Sequence, residues 1–167
     1  IMNLHFQATY IYQYKPAFGA RYSGTNSLQT KEEKQNSFTA TLYLGHRLWK
    51  GGQVYLNPEV AGGSGLSGAF GMGASTNGET FRVGDPAPTL YLARLYFTQI
   101  IPLHRTLPEG VSRTTDVPEG PNELGGLVPN DYLRFYIGKF SLGDLFDNNA
   151  YANSPRTQLM NWCLMSN

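Results

Sequence analysis

The chain has 167 residues and a mass of 18.5 kDa, the length of one ordinary domain. Charged residues are only 15%, below the roughly 25% of soluble domains, while aromatics reach 13% at a mean hydropathy of −0.33; this balance argues against a soluble α/β enzyme and suits a mostly β protein. A net charge of +1 and a pI of about 8.0 leave no basic footprint for nucleic acid, and the single cysteine, Cys163, excludes an internal disulfide framework. No apolar run of about 18 residues exists that would form a transmembrane helix. No signal-peptide pattern is present. Ile1–His5 runs straight into a strand pattern and Cys163–Asn167 carries no terminal strand, so both ends read as cuts through a longer chain.

The first strand is expected over residues 6–14. Phe6, Ala8, Tyr10, Tyr12 and Tyr14 alternate with Gln7, Thr9 and Gln13, and Ile11 alone breaks the pattern. Its length matches a tilted membrane-crossing strand of about 9–11 residues, and its tyrosines suit a membrane interface. Residues 15–37 are polar and punctuated by Pro, Gly and Asn, hence a loop, with the Lys31–Lys34 cluster at a solvated tip.

A second strand is expected over 38–49. Phe38, Ala40, Leu42, Leu44, His46 and Leu48 oppose Thr39, Thr41, Tyr43, Gly45, Arg47 and Trp49. Lys50-Gly51-Gly52 makes a tight turn, and a third strand over 53–60 sets Val54, Leu56 and Val60 against Gln53, Tyr55, Asn57 and Glu59. Residues 61–88 are Gly-rich and lose all period, which predicts a long loop with room for one helical turn.

Alternation returns over 89–101 with its phase reversed. Tyr91, Ala93, Leu95 and Phe97 form one face, and Arg94, Tyr96 and Thr98 the other. Residues 102–130 hold Pro102, Pro108, Pro118, Pro121 and Pro129 and no alternation, hence a second long loop. A last strand over 132–140 sets Leu133, Phe135 and Ile137 against Tyr132, Arg134 and Tyr136. In the tail, Ser154-Pro155 reads as the N-cap and first turn of a short helix striped by Leu159, Met160 and Leu164.

These patterns predict an all-β protein, an antiparallel transmembrane β-barrel, with residues 1–167 forming one partial barrel domain of five strands. Single-chain bacterial barrels need roughly eight strands to close, and open edges are not tolerated against lipid, so the membrane reading requires further sequence. Phe38, Leu42, Leu44, Val54, Leu56, Leu95, Phe97, Phe135 and Ile137 would then face lipid. The alternative is a soluble all-β carbohydrate-binding module, in which those apolar faces meet one another. One conflict accompanies the barrel: short turns belong on the periplasmic side, yet the turn at 50–52 places the long 102–130 loop on that side. Either a further strand lies near Thr80–Val83, or one segment folds into the lumen.

Arg47, Arg94 and Arg134 each fall on the polar phase of a separate strand. An arginine facing lipid at the midplane costs roughly 2–4 kcal/mol, so these three are expected in the lumen, offering donors to sugar hydroxyls or carboxylates. The competing reading pairs them with acids such as Glu59 or Asp85 as loop anchors. Tyr43, Trp49 and Tyr55 share the polar phase of the hairpin and Tyr96 that of the next strand, where they would stack on sugar rings or pack the lumen wall. Asn57 and Glu59 complete the pore-lining set. Asp144, Asp147, Asn148 and Asn149 offer oxygen ligands but lack EF-hand spacing, leaving calcium against a turn rich in Asx hydrogen bonds. No metal and no cofactor are expected: His5, His46 and His104 lack ligand spacing, and Gly62-Gly63-Ser64-Gly65 lacks the Lys-Ser/Thr of a P-loop. No nucleophile elbow exists, and only Glu59, Glu79 and Asp85 stand near strand ends as hydrolytic carboxylates, so no enzyme is expected.

Three segments, SFTATLYLGHRLWKGGQVYLNPEVAGGSGLS, NGETFRVGDPAPTLYLARLYFTQ and LRFYIGKFSLGDLFDNNAYANSPRTQLMNW, resemble the carbohydrate-selective porins of Gram-negative bacteria, the OprB-like family. The last is the most specific: a strand, a GKFS exit, an Asp/Asn-rich turn and a PRTQ motif. The resemblance implies an outer-membrane barrel of about 16 strands, monomeric or homotrimeric, that passes sugars and other small hydrophilic solutes by diffusion. This chain would form its N-terminal third or so, in contact with outer-membrane lipid.

Overall fold

Period-two hydrophobicity becomes strand wherever it runs for eight residues or more. In the computed structural model, which describes residues 1–79, 86–103, 113–147 and 149–165, the strands are β1 (Met2–Lys15), β2 (Glu33–Trp49), β3 (Gly52–Gly63), β4 (Thr89–Pro102), β5 (Thr114–Val117), β6 (Gly126–Pro129) and β7 (Tyr132–Lys139). All five expected strands are present. They form one sheet in the order β1-β2-β3-β4-β7, with β1 and β7 as its edges. β4 and β7 pair antiparallel from Leu95↔Lys139 to Pro102↔Tyr132. The Lys50-Gly51 turn joins β2 to β3, and Gly51 takes a left-handed φ of 81°. A Cβ there would come within 2.3 Å of the Ile100 carbonyl oxygen, so the position requires glycine.

The alternation decides which face is covered. In β1, Met2, Leu4, Phe6, Tyr10, Tyr12 and Tyr14 are exposed, while Asn3 and Gln13 are buried. In β2 and β3, Thr39, Thr41, Tyr43, Tyr55, Asn57 and Glu59 are buried, whereas Phe38 and Leu56 are exposed. β4 and β7 repeat the rule: Tyr96 and Thr98 are buried, and Leu95, Phe135 and Ile137 are exposed. The polar phase is the covered one. A soluble sandwich has the opposite arrangement, with its apolar faces sealed against each other.

The chain divides into two compact units, one of Ile1–Gln7, Thr41–Pro58 and Leu92–Phe140, the other of Ala8–Ala40, Glu59–Tyr91 and Ser141–Asn167. In the first, Tyr55, Tyr96 and Leu124 form the buried apolar cluster, with Tyr136 and Phe140 packed against it. The Tyr55 and Tyr96 rings stack at 5.0 Å and 21°. Leu124 comes from the segment expected to be a plain loop. That expectation needs correcting: β5 and β6 pair antiparallel from Thr114↔Pro129 to Val117↔Gly126, and Gly120 and Glu123 form a further bridge. These strands are four residues long, too short for a period to show in sequence.

Part of the connection that raised the sidedness conflict packs back on the sheet. The β2–β3 turn and the β4–β7 connection leave the sheet at one end, where Ile100 donates its N–H to the Gly51 carbonyl. Residues 119–125 then lie on the polar phase of the sheet. Asn3 donates to the carbonyls of Gly120 and Glu123, Arg47 donates to that of Gly125, and Arg134 meets Glu123. The other resolution, a strand near Thr80–Val83, falls outside the described residues, and β3 and β4 are direct neighbours in the sheet.

In the second unit, Lys15 ties the first loop by donating to the carbonyls of Gln29 and Lys31. Glu33 accepts from the Ser67 N–H and hydroxyl. The Gly-rich loop makes one 3₁₀ segment, Gly71–Thr76, after a turn at Leu66–Ala69 in which Ser67, Gly68 and Ala69 take left-handed φ values of 54°, 68° and 57°. In the tail, a short helix α1 spans Gly143–Phe146. The helix expected from Ser154 does not form: the chain makes one turn, with the Gln158 N–H on the Ser154 carbonyl, and a 3₁₀ segment at Trp162–Leu164 capped by the Asn161 side chain. Of the expected stripe, Leu159 and Leu164 are exposed and Met160 is half-buried. A short helix without a buried stripe lacks the packing that offsets its nucleation cost.

Candidate functional site

The residues singled out from sequence separate into three groups in the structure. Tyr43, Arg47, Tyr55, Asn57, Glu59, Tyr96 and Arg134 share the covered polar phase, as their strand positions dictate, and Arg94 occupies the same phase of β4 as Tyr96 and Thr98. In the first unit, Tyr43 donates to Gln7 at 3.0 Å and Tyr55 to Gln53 at 2.8 Å. Arg134 reaches Glu123 and Gln53, each at 3.4 Å, and lies 5.4 Å from the Tyr136 ring centre. Arg47 donates to the Gly125 carbonyl at 3.2 Å. A cavity of about 870 Å³ opens beside β5 and β6, lined by Arg47, Lys50, Gln53, Arg113, Leu127 and Asp131 among others. Its size is that of a small-molecule site.

Glu59 belongs to a second group, in the other unit. Arg156 donates to Glu59 at 2.8 Å and to Glu79 at 2.9 Å. The side chains of Arg156, Glu59 and Glu79 are 5%, 0% and 1% exposed. Thr39 donates to Glu79 at 2.8 Å, Tyr91 donates to Glu59, and the Asn77 side chain accepts the Glu79 N–H at 2.9 Å. The cluster therefore joins β2, β3, the start of β4, the Gly-rich loop and the tail. Removing one partner of such a buried ion pair costs about 3–5 kcal/mol. Sequence reasoning placed Glu59 on the polar phase of its strand but missed Arg156. A carboxylate on that phase demands a cation, and the PRTQ segment held it, yet no spacing rule links the two. Tyr91 was expected on the apolar phase. The strict alternation of burial in β4 begins only at Leu95, and the Tyr91 hydroxyl reaches Glu59.

Trp49 stands apart. Expected with Tyr43 and Tyr55, it is exposed, with its ring 5.6 Å from that of Phe97 and its Nε1–H donating to Gln99 at 2.8 Å. It is the last residue of β2 before the turn, where the chain departs from the pleat that sets the phase. The arginines divide similarly. Arg134 pairs with a loop acid, as the anchoring alternative required, but the acid is Glu123. Asp85, His104 and Asn148 lie outside the described residues. In the Asp/Asn cluster, Asp147 Oδ1 accepts from the Asn149 N–H and Asn149 Oδ1 from the Tyr151 N–H, both at 2.9 Å. These are the Asx turns of the simpler reading.

No curated protein and no solved structure matches the chain. A family model does, described as carbohydrate-selective porin, OprB family, over residues 25–167. That family comprises β-barrel channels of the outer membrane and is not a family of enzymes. The all-β fold, with its polar phase covered and its apolar phase open, agrees with such a wall, and the match spans most of the sequence: the chain belongs to the OprB family of carbohydrate-selective porins.

Proposed function

We propose that this chain forms part of the wall of an outer-membrane pore through which carbohydrates and other small hydrophilic solutes diffuse passively. The observation that carries the reading is the inverted burial of successive strands, apolar side chains exposed and polar ones covered. Lipid is the solvent that suits an exposed Phe6, Leu95, Phe135 and Ile137, and an aqueous lumen suits Thr41, Asn57 and Thr98. Arg47, Arg94 and Arg134 would supply donors to passing hydroxyls, with Tyr43, Tyr55 and Tyr96 as ring surfaces. Such contacts must stay weak, since a solute held tightly does not leave. Glu59 serves the wall rather than the solute, because Arg156 occupies its carboxylate. Outer-membrane lipid, and further copies in a homotrimer, are the partners in this reading.

The test is reconstitution of the natural full-length protein in liposomes. Neutral sugars should enter and swell the vesicles, and Arg94→Ala should alter the ratio of acidic to neutral sugar entry while the barrel stays folded. A detergent-free soluble monomer without channel activity would overturn the reading.

A further inference from the structure

The charge cluster Lys31–Lys34, which reads from sequence as a loop tip, is built into the base of the first loop instead. Lys34 is the second residue of β2. Phe18 donates its N–H to the Thr30 carbonyl at 2.9 Å, and the Lys15 ammonium donates to the Lys31 carbonyl. Glu33 turns to the covered side, where Ser67 and Lys15 meet it. Lys34 takes the opposite, open phase. Its Nζ lies 5.7 Å from the Tyr14 ring centre and 2.8 Å from Glu32, and Tyr12 and Tyr14 are exposed on β1. Lys31 is exposed as well.

Position and charge both point to a membrane headgroup. Along the open phase of β2 the order toward the loop is Phe38, Asn36, Lys34, so the apolar run ends at Phe38. Four residues at about 3.3 Å each, on a strand tilted by about 45°, carry Lys34 roughly 9 Å beyond it, out of the hydrocarbon. Long loops of such barrels face outward, which makes this the interface of the outer leaflet. From Lys15 to Lys34 the chain carries Lys15, Arg21, Lys31 and Lys34 against Glu32 and Glu33, and Glu33 is used by Lys15 and Ser67. The exposed remainder is Arg21, Lys31 and Lys34 against Glu32. The Lys34–Glu32 pair is itself 59% and 49% exposed, so it is loosely held and a phosphate can displace Glu32.

We propose that the open face where β1 and β2 meet the first loop binds the phosphorylated sugar headgroup of an outer-leaflet glycolipid, lipopolysaccharide, with Lys31 and Lys34 on its phosphates and the rings of Tyr12 and Tyr14 against its sugars. The inference rests on the pore reading above, which sets the outward direction. Lipopolysaccharide matches each part of the face. Its phosphates meet the ammonium groups, its disaccharide offers apolar ring faces to amphipathic tyrosines at the interface, and its acyl chains run along the apolar phase past Phe38. The base of the loop is fixed through its backbone by Lys15 and Phe18, so the cations are presented in place. Their attraction is screened beyond about 10 Å at 0.1 M salt, which confines the effect to a lipid in contact.

The experiment titrates the natural full-length protein in detergent with purified lipopolysaccharide and, in parallel, with the same lipid stripped of its phosphates, and reads binding by native mass spectrometry. The intact lipid should bind more tightly. Lys31→Gln and Lys34→Gln should each weaken it about fivefold and leave the stripped lipid unaffected, whereas Glu32→Gln should tighten it. Lys50→Gln, at the turn end of β2, should change nothing. Folding of each variant is checked by heat-modifiable gel mobility. Equal affinity for intact and stripped lipid, or lysine variants that bind as the wild type does, would overturn the site. Displacement of the lipid by millimolar inorganic phosphate would assign the lysines to a free anion and overturn it too. The same preparations are recorded in planar bilayers. A wild type that binds the lipid through these lysines but conducts nothing would overturn the pore reading alone, and a conducting wild type indifferent to them would overturn the headgroup site alone.

Discussion

Each compact unit sets an arginine against carboxylate, Arg156 against two partners 97 and 77 residues away and Arg134 against one 11 residues away, and the two arrangements differ in burial. Arg156 is clasped at 2.8 and 2.9 Å by two carboxylates, and all three side chains are at most 5% exposed. Arg134 meets one carboxylate at 3.4 Å, with the two side chains 17% and 27% exposed. Coulomb attraction is alike in kind, but solvent decides its consequence. Where water is excluded, losing one partner strands a charge in low dielectric. Where water reaches in part, it replaces some of what the lost partner supplied and the pair contributes less. The first arrangement is a structural clamp. The second is weak enough to be a functional contact, and in its unit Leu124 among Tyr55 and Tyr96 does the holding.

The comparison breaks or sharpens with three substitutions. Arg156→Met should have the largest effect, destabilising the folded barrel by about 3–5 kcal/mol, read as a fall in the temperature at which the compact gel band is lost. Converting Glu59 and Glu79 to Gln in the same variant should recover part of the loss, since no charge then remains unpaired. Leu124→Ala should come next. It empties a buried site against two tyrosine rings, at a cost of about 2 kcal/mol, the low end for buried leucines because the segment can settle inward. Hydrogen exchange should quicken at residues 119–125 while the strand amides stay protected. Arg134→Ala should be the mildest, about 1 kcal/mol, with a melting temperature lowered by only a few degrees. A melting loss for Arg134→Ala equal to that for Arg156→Met would show that burial is not what separates the two.

Much of the fold was legible along the chain. Phe6 to Tyr14, Phe38 to Leu48 and Leu133 to Ile137 each carry a period of two, and the structure places their apolar members on the open phase. The site was legible in part. Tyr43, Tyr55, Asn57 and Tyr96 were assigned to the polar phase by parity alone, and the structure buries them, whereas Trp49 is exposed because parity lapses at the strand's last residue. β5 and β6 escaped notice because four residues cannot display a period.

What the sequence by itself determined is whatever depends on near neighbours: the positions of the five long strands, the phase along most of each, the glycine turn at 50–52, and the motif segments that mark the family. Side chains on a pleat alternate by geometry, so phase needs no knowledge of the rest of the chain. What only the tertiary structure decided is pairing at a distance. Arg156 lies 97 residues from Glu59, and Asn3 lies 120 residues from the Glu123 carbonyl that it holds. No local pattern encodes such a meeting, because it exists only after the strands have assembled and a buried charge or amide must find whichever partner the assembled sheet brings within hydrogen-bond reach.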